Sequence, residues 1–141
     1  MNNDDRPIIV FDGDCDLCRR SVRFVLRRDR AGRFRLAANR SPAGRRLLAD
    51  RGLDPDRVDS VVLIDRARTS THADAVLRIA AGLDAPWRWL AALARCVPRP
   101  LRDALYRFVA KRRSKWFGQA DACAPADPLI AERYRARTVD R

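Results

Sequence analysis

Apolar residues follow two periods along this chain, and their alternation predicts strands and helices in turn. The uninterrupted apolar run 8–11 predicts a buried strand, and after residue 17 the apolar positions recur every three or four residues, as on one face of a helix. Gly32 ends this helix, the period-two pattern of 33–37 predicts a half-buried strand, and Ser41 begins a second helix. The first half of the chain therefore predicts the order β-α-β-α.

The apolar pattern that follows predicts two strands and a third helix. The run 61–64 is continuously apolar, as expected of a central strand, and the short polar segment 68–71 predicts an edge strand. Thr71 and Asp74 approximate a capping box at the start of the helix. The order β-α-β-α-β-β-α, over about residues 7–84, is the connectivity of the thioredoxin fold. We therefore predict an α/β thioredoxin-like core.

A C-terminal helical extension is predicted over about residues 86–118. The segment 87–96 is apolar almost all round, which predicts a buried helix that contains Cys96 as a small core residue. The next helix keeps apolar residues at i, i+4, i+7 and i+8 spacing: Leu101, Leu105, Phe108 and Val109. This spacing predicts that the two helices form a hairpin over part of the sheet. An irregular tail is expected over 119–141, frayed over 132–141, and all 141 residues are expected to form one domain.

The link between the first strand and the first helix carries the residues with the clearest chemistry. Cys15 and Cys18 lie three residues apart at a predicted helix N-terminus, where backbone N–H groups and the helix dipole stabilise a thiolate over a thiol. This spacing brings two sulfurs close enough for a disulfide to open and close without unfolding the helix. We predict a reversible dithiol, with Cys15 as the exposed nucleophile and Cys18, one turn further in, as the resolving thiol.

Asp12 is the carboxylate that the pattern places at the end of the first strand, pointing toward the dithiol. One hypothesis is that it accepts or relays the proton of the resolving thiol, and an equally supported one is that it bonds the turn or caps the helix. Together with Asp14 and Asp16 it places negative charge around Cys15, which opposes thiolate formation. Arg19 either offsets these charges or belongs to the solvated helix face, which we favour. We expect a dithiol more reducing than the strongly oxidising members of the fold.

Three other interpretations compete with the dithiol. A zinc half-site is one, but the remaining cysteines, Cys96 and Cys123, lie far along the chain and far from each other. Buried structural thiols are another. The sequence Asp12-Gly13-Asp14 after an apolar strand also resembles the first motif of haloacid-dehalogenase-type phosphatases, but the two lysines of the chain lack the adjacent acidic pair of the later motifs. Because no flavin, nucleotide or metal motif is visible, we predict no cofactor and no metal beyond the dithiol itself.

The composition of the chain indicates a folded protein and bears on its compartment and its partners. The chain is 47% hydrophobic, which supports a folded core, and its formal net charge of +12 attracts acidic partners. Acidic residues near the N-terminus do not fit a signal peptide, and no apolar run approaches the roughly 20 residues of a membrane-spanning helix. We therefore predict a cytoplasmic protein. In that reducing compartment a cysteine pair is more often catalytic than structural.

Two further features each have a functional and a plain interpretation. Eight basic residues and one acidic residue lie between Arg95 and Lys115, followed by Trp116 and Phe117. Such a stretch is typical of binding to nucleic acid or an anionic membrane, and also of a solvated helix face, which we favour. We expect no specific nucleic-acid binding and only weak, salt-sensitive association with anionic surfaces. His72, the only histidine, is assigned a surface or capping role in preference to catalysis, because the sequence offers it no partner.

The segment Asp12-x-x-Cys15-x-x-Cys18 resembles the signature of the DCC family, which is described as thiol-disulfide oxidoreductases with a thioredoxin-like fold. The likeness covers roughly residues 7–123 and includes further matching positions: Leu83 to Trp87, Pro98 to Asp103, Tyr106, Arg113, Phe117, Gly118 and Cys123. The resemblance implies thiol-disulfide exchange through Cys15 and Cys18, with protein or small-molecule thiols and disulfides as partners.

Two positions depart from the pattern of related proteins. Ala73 stands where the DCC family often has serine at the start of the third helix. Thioredoxins place a cis-proline just before the third strand, whereas residues 58–60 contain no proline here and Pro55 lies too early. We therefore expect substrate docking to differ from that of thioredoxin.

Overall fold

The computed structural model describes residues 5–13, 16–58, 60–117, 134 and 136–139. Within these residues the predicted order of strands and helices is confirmed, and two helices follow the core. The elements are β1 (Ile8–Phe11), α1 (Asp16–Arg28), β2 (Arg35–Ala38), α2 (Pro42–Ala49), β3 (Val62–Ile64), β4 (Thr69–Thr71), α3 (His72–Gly82), α4 (Trp87–Ala94) and α5 (Arg99–Phe117).

Four strands form one mixed sheet in the order β2-β1-β3-β4. β1 pairs in parallel with β2, with Ile8 opposite Arg35, and antiparallel with β3, which in turn pairs antiparallel with β4. This α/β arrangement is thioredoxin-like, as predicted. Because α1 connects two parallel strands, its N-terminus lies at the carboxyl end of β1, an interior strand of the sheet.

The core occupies both faces of the sheet because successive strand residues point to opposite sides. Ile9 and Phe11 of β1 pack with apolar residues of α1 and α3 on one face, and Val10 packs with Leu48 of α2 on the other. Truncating a fully buried leucine such as Leu48 to alanine typically costs about 2–5 kcal/mol. These contacts fix the helices, and therefore the start of α1, relative to the sheet.

The first helix of the extension does not pack as its apolar composition predicted. α4 fully buries only Ala91 and packs the half-buried Trp87 against the core, while three of its large apolar residues are exposed: Trp89, Leu90 and Leu93. Cys96, predicted as a core residue, is also exposed. Both α4 and α5 pack mainly on α3 and not over the sheet. A small side chain at the contact lets two helices approach closely, which explains why alanine faces inward in α4.

α5 leaves most of its predicted packing stripe exposed. Leu101, Leu105 and Phe108 are exposed, whereas Tyr106 and Val109 are half-buried. The spacing correctly groups the three exposed residues on one side of the helix. The predicted direction of that side is wrong, because periodicity identifies a shared face without determining what the face meets.

The last described segment is docked, where the sequence predicted a frayed end. The backbone N–H of Val139 donates to the carbonyl of Leu36 at 2.7 Å, and Thr138 forms a parallel bridge with Leu36 at the sheet edge. Arg137 forms an ion pair with the buried carboxylate of Asp29 at 3.0 Å. The two residues of the ion pair are 108 positions apart in the sequence, so no local sequence pattern predicts this contact.

Candidate functional site

The turn between β1 and α1 holds the residues that the sequence selected. Asp12 directly follows β1 and is half-buried, and Cys18 lies in the first turn of α1, which begins at Asp16. Cys15 lies outside the described residues. The structure therefore places Asp12 just before, and Cys18 just after, the connection between β1 and α1, and the pairing of Cys15 with Cys18 stays a prediction.

Arg19 ties the first turn of α1 to the acidic loop. Its Nε donates a hydrogen bond to the carbonyl of Gly13 at 2.6 Å. A charged donor on a carbonyl makes a stronger hydrogen bond than a neutral one, so this contact restrains the loop that carries Asp12. The residue therefore takes part in the local structure of the site, beyond the solvated helix face that the sequence favoured.

Cys18 lies beside an apolar groove. It is half-buried and packs against the core cluster shared by the sheet, α1 and α3. The groove has a volume of about 1070 Å³ and runs between α1, α3 and α5, with lining residues that include Phe11, Val22, Val61, Ile79, Leu101 and Tyr106. Small-molecule sites typically have volumes of about 300–1000 Å³ and mostly apolar walls, so this groove is large enough for a substrate. Sequence reasoning did not identify it, because its walls come from separate parts of the chain.

Tyr106 of α5 occupies the region just before β3. Its hydroxyl accepts a hydrogen bond from the backbone N–H of Val61 at 3.4 Å, and its ring contacts the edge of His72 with centroids 5.4 Å apart. This is the region where thioredoxins carry their cis-proline, and the extension contributes a side chain to it here. Tyr106 matched the family resemblance, which was the only sequence signal that singled it out.

His72 is exposed at the start of α3, as predicted. Its Nδ1 lies 3.0 Å from Oγ1 of Thr71, and its backbone φ of 54° is in the left-handed region. Thr71 holds the N-cap position of α3 without a side-chain capping bond, so the predicted capping box does not form. The Thr71 hydroxyl lies within hydrogen-bonding distance of the His72 ring and does not cap the helix.

The described residues contain no group of three or more His, Cys, Asp or Glu side chains that would hold a metal ion. Cys96 lies on the connection after α4, on a different element from Cys18, and Cys123 is outside the described part of the chain. In the same residues, no helix is both long enough and apolar enough to cross a membrane.

Comparison with known proteins agrees with the sequence motif. A family profile described as DCC1-like thiol-disulfide oxidoreductase matches residues 9–119. The uncharacterized protein YuxK of Bacillus subtilis (strain 168) is 39% identical over 127 residues, which cover 90% of this chain and 92% of that protein. A chloroplastic DCC family protein of Arabidopsis thaliana is 42% identical over 123 residues, covering 87% of this chain and 72% of that protein. No solved structure is significantly similar to the chain.

Proposed function

Because this chain belongs to the DCC1-like thiol-disulfide oxidoreductase family, which supports a general thiol-disulfide oxidoreductase role, we propose that Cys15 and Cys18 form its redox-active pair. The observation that carries the proposal is the position of Cys18. It lies in the first turn of α1, at the carboxyl end of an interior strand and beside an apolar groove. Unpaired backbone N–H groups at a helix N-terminus favour thiolates, which are the reactive form.

The proposed reaction passes two electrons from the dithiol to a substrate disulfide. The Cys15 thiolate attacks one substrate sulfur, the substrate S–S bond breaks, and the first substrate thiolate leaves and takes up a proton. The Cys18 thiolate then attacks the Cys15 sulfur, which breaks the mixed disulfide and releases the second substrate thiol. The protein ends with one disulfide and the substrate with two thiols, and the reverse sequence oxidises a substrate dithiol.

Asp12 is proposed to take the proton of Cys18 when the resolving thiolate forms. Asp12 lies directly after β1, at the start of the connection that leads into α1. A proton acceptor for Cys18, in the first helical turn of α1, would be expected at this position. The competing role is structural, since a carboxylate in such a turn also bonds backbone N–H groups. Asp12→Asn keeps much of the hydrogen bonding and removes the titration, so a proton-transfer role requires a changed pH dependence of disulfide exchange. An unchanged profile in this variant would leave only the structural role.

Mixed-disulfide trapping tests the pair and the order of its two thiols. In Cys18→Ser, a model disulfide peptide should stay attached to Cys15, because the thiol that releases it is gone. In Cys15→Ser, little adduct should form, and the reverse result would exchange the two roles. Cys96→Ser is the matched control, since it removes an exposed thiol on another element and should leave disulfide exchange unchanged.

Redox titration followed by mass spectrometry tests the proposal as a whole. The purified chain is equilibrated with thiol and disulfide buffers of increasing potential, alkylated and digested. A Cys15–Cys18 disulfide that forms and disappears reversibly supports the proposal. If the pair forms no disulfide across the accessible range, the oxidoreductase role assigned to it is wrong.

The groove defines which substrates fit this pair best. Its apolar walls favour thiols or disulfides that carry apolar groups next to the reacting sulfur. We also propose that the reaction takes place in the cytoplasm, where thioredoxin and glutathione keep partner thiols reduced. The plant relative is named as chloroplastic, so fractionation of the native cells is the measurement that decides the compartment for this chain.

A further inference from the structure

The outward sides of α4 and α5 carry an unusual concentration of large apolar residues. We call these residues the outer apolar face: Trp89, Leu90, Leu93, Leu101, Leu105 and Phe108. Their relative exposures lie between 47% and 69%. Single exposed apolar residues are ordinary on a protein surface, but a group of six on two consecutive helices indicates an interaction surface.

Both helices expose several large apolar residues of the kind that ordinary surface helices bury. Successive residues of an α-helix turn by about 100°, so Leu101, Leu105 and Phe108 share one side of α5. Tyr106 lies away from this side and Val109 lies next to it; both are half-buried, and both line the groove that Leu101 and Leu105 also border. In α4, Ala91 is buried and Trp87 packs against the core, whereas Trp89, Leu90 and Leu93 are exposed. Each helix therefore leaves three large apolar side chains exposed to solvent.

The charges around the outer apolar face are almost all positive. Residues 87–112 contain seven arginines and lysines and one acidic residue, Asp103. Two of the cations sit beside the aromatic residues of the face. The Arg88 guanidinium lies 5.4 Å from the Trp89 ring centroid, and that of Arg112 lies 4.7 Å from the ring centroid of Phe108. Apolar residues are therefore interleaved with cations. This arrangement complements a surface that has an outer anionic layer and an apolar interior beneath it.

We propose that α4 and α5 dock on an anionic lipid bilayer, lying in the plane of the interface with the outer apolar face inserted among the lipids. Helices bind this way when leucine, phenylalanine and tryptophan enter the boundary of headgroups and acyl chains while arginine and lysine contact anionic headgroups. The geometry excludes spanning for the described helices, none of which is long and apolar enough to cross. A nucleic acid is a poorer partner, because its interfaces are polar, and the four exposed leucines and the phenylalanine of the face offer no hydrogen bonds to phosphates or bases.

This docking extends to the groove beside Cys18. Leu101 and Leu105 belong both to the outer apolar face and to the lining of that groove. A bilayer bound to the face therefore lies next to one border of the groove. The proposal is independent of the dithiol chemistry, and its test uses binding alone.

Vesicle flotation tests the proposal with the full chain under reducing conditions. Vesicles of phosphatidylcholine alone and of phosphatidylcholine mixed with phosphatidylglycerol are compared. We expect at least about tenfold stronger partitioning onto the anionic vesicles, weakened by added salt but not abolished, because the apolar contribution is not screened. Equal binding to both vesicles, or no binding to the anionic ones, would overturn the proposal.

Variants then separate insertion from charge attraction. Leu93→Ser with Leu105→Ser should weaken binding to anionic vesicles by about tenfold or more, since both side chains are exposed and their loss removes inserted apolar surface without opening the core. Val76→Ser is the control, because it is an exposed apolar residue of α3 outside the face, and should bind as the unaltered chain does. Thermal unfolding followed by circular dichroism checks that all three proteins are folded. Equal binding by the double variant and the control would refute insertion.

The same variants identify any other occupant of the face. Sedimentation equilibrium shows whether the chain self-associates, and a dimer that the Leu93→Ser, Leu105→Ser variant dissociates, without vesicle binding by the unaltered chain, would assign the face to a second copy. Duplex DNA is tested at the same salt concentrations. DNA binding that depends on the two leucines, in the absence of vesicle binding, would likewise overturn the membrane proposal.

Discussion

Arg137→Ala is expected to destabilise the fold far more than the loss of an exposed arginine. Asp29 is only 1% exposed, and its carboxylate accepts bonds at 3.0 Å from the backbone N–H groups of Arg33 and Phe34 and from Nη1 of Arg137. Nη2 of Arg137 also donates to the Asp29 carbonyl at 3.1 Å. The variant therefore leaves a buried carboxylate with its two backbone donors but without this direct counter-charge.

The magnitude follows from the cost of an uncompensated buried charge. Removing one partner of a buried ion pair typically costs about 3–5 kcal/mol. Because the two backbone donors continue to stabilise the carboxylate, we expect a loss near the lower limit, about 3 kcal/mol in the free energy of unfolding. A domain of this size typically has roughly 5–15 kcal/mol to lose, so the variant should still fold.

Urea unfolding at neutral pH with a reductant present, followed by circular dichroism, measures this difference. Arg57→Ala is the control, because the Arg57 side chain is 88% exposed and its pair with Asp54, at 3.5 Å, should contribute less than about 1 kcal/mol. Adding Asp29→Asn to the Arg137→Ala variant should restore part of the stability, since a neutral amide removes the unpaired charge. If Arg137→Ala and Arg57→Ala unfold within about 1 kcal/mol of each other, the C-terminal segment does not stabilise the fold through Asp29.

Three other measurements check separate parts of the fold. Gly44→Ala should destabilise by roughly 1–3 kcal/mol or more in the same urea assay, because the added Cβ would lie 1.9 Å from the backbone oxygen of Ala38 and α2 would have to move. Tyr106→Phe should cost about 0.5–1.5 kcal/mol and speed hydrogen exchange at the Val61 amide, since the phenol oxygen is its acceptor; unchanged exchange would contradict the contact. The pKa of Asp65 lies below its usual range, because the opposing effect of burial is outweighed by bonds from backbone N–H groups and an arginine ion pair. The ionised Asp65 therefore stabilises the fold fully above the ordinary carboxyl pKa, and this stabilisation is lost as the pH falls through the lowered pKa. When the pH is lowered from about 4, the free energy of unfolding should fall less in Asp65→Asn than in the unaltered chain, because the variant has no carboxylate to protonate at this position.

Local patterns predicted the order of the elements and the place of Cys18 in the first turn of a helix. The apolar run before Asp12 and the helical spacing after residue 17 identify a strand, a turn and a helix, and that order alone places Cys18 in the first turn of α1. Period two and period 3.6 are properties of a single element, so they are visible without knowledge of the rest of the fold. The location of the dithiol motif depended only on such local information.

Contacts between distant segments could not be predicted in this way. The pattern grouped Leu101, Leu105 and Phe108 correctly but assigned them to the core, because a helical stripe looks the same whether it meets protein or another partner. The pairing of Arg137 with Asp29 and the groove beside Cys18 both require segments from separate parts of the chain. Their existence depends on tertiary packing, which single-sequence periodicity does not encode.

The contacts of residues 137–139 with the core can form only late in synthesis of the chain on the ribosome. Arg137 is translated 108 residues after its partner Asp29, a delay on the order of 5–20 s at typical rates of synthesis. During that interval the carboxylate lacks this counter-charge, and the carbonyl of Leu36 on the edge strand lacks the Val139 N–H that later covers it. Open strand edges are where nascent chains pair wrongly with one another. The growing chain therefore passes through an incompletely closed state, and the sheet edge is completed only when residues 137–139 have emerged.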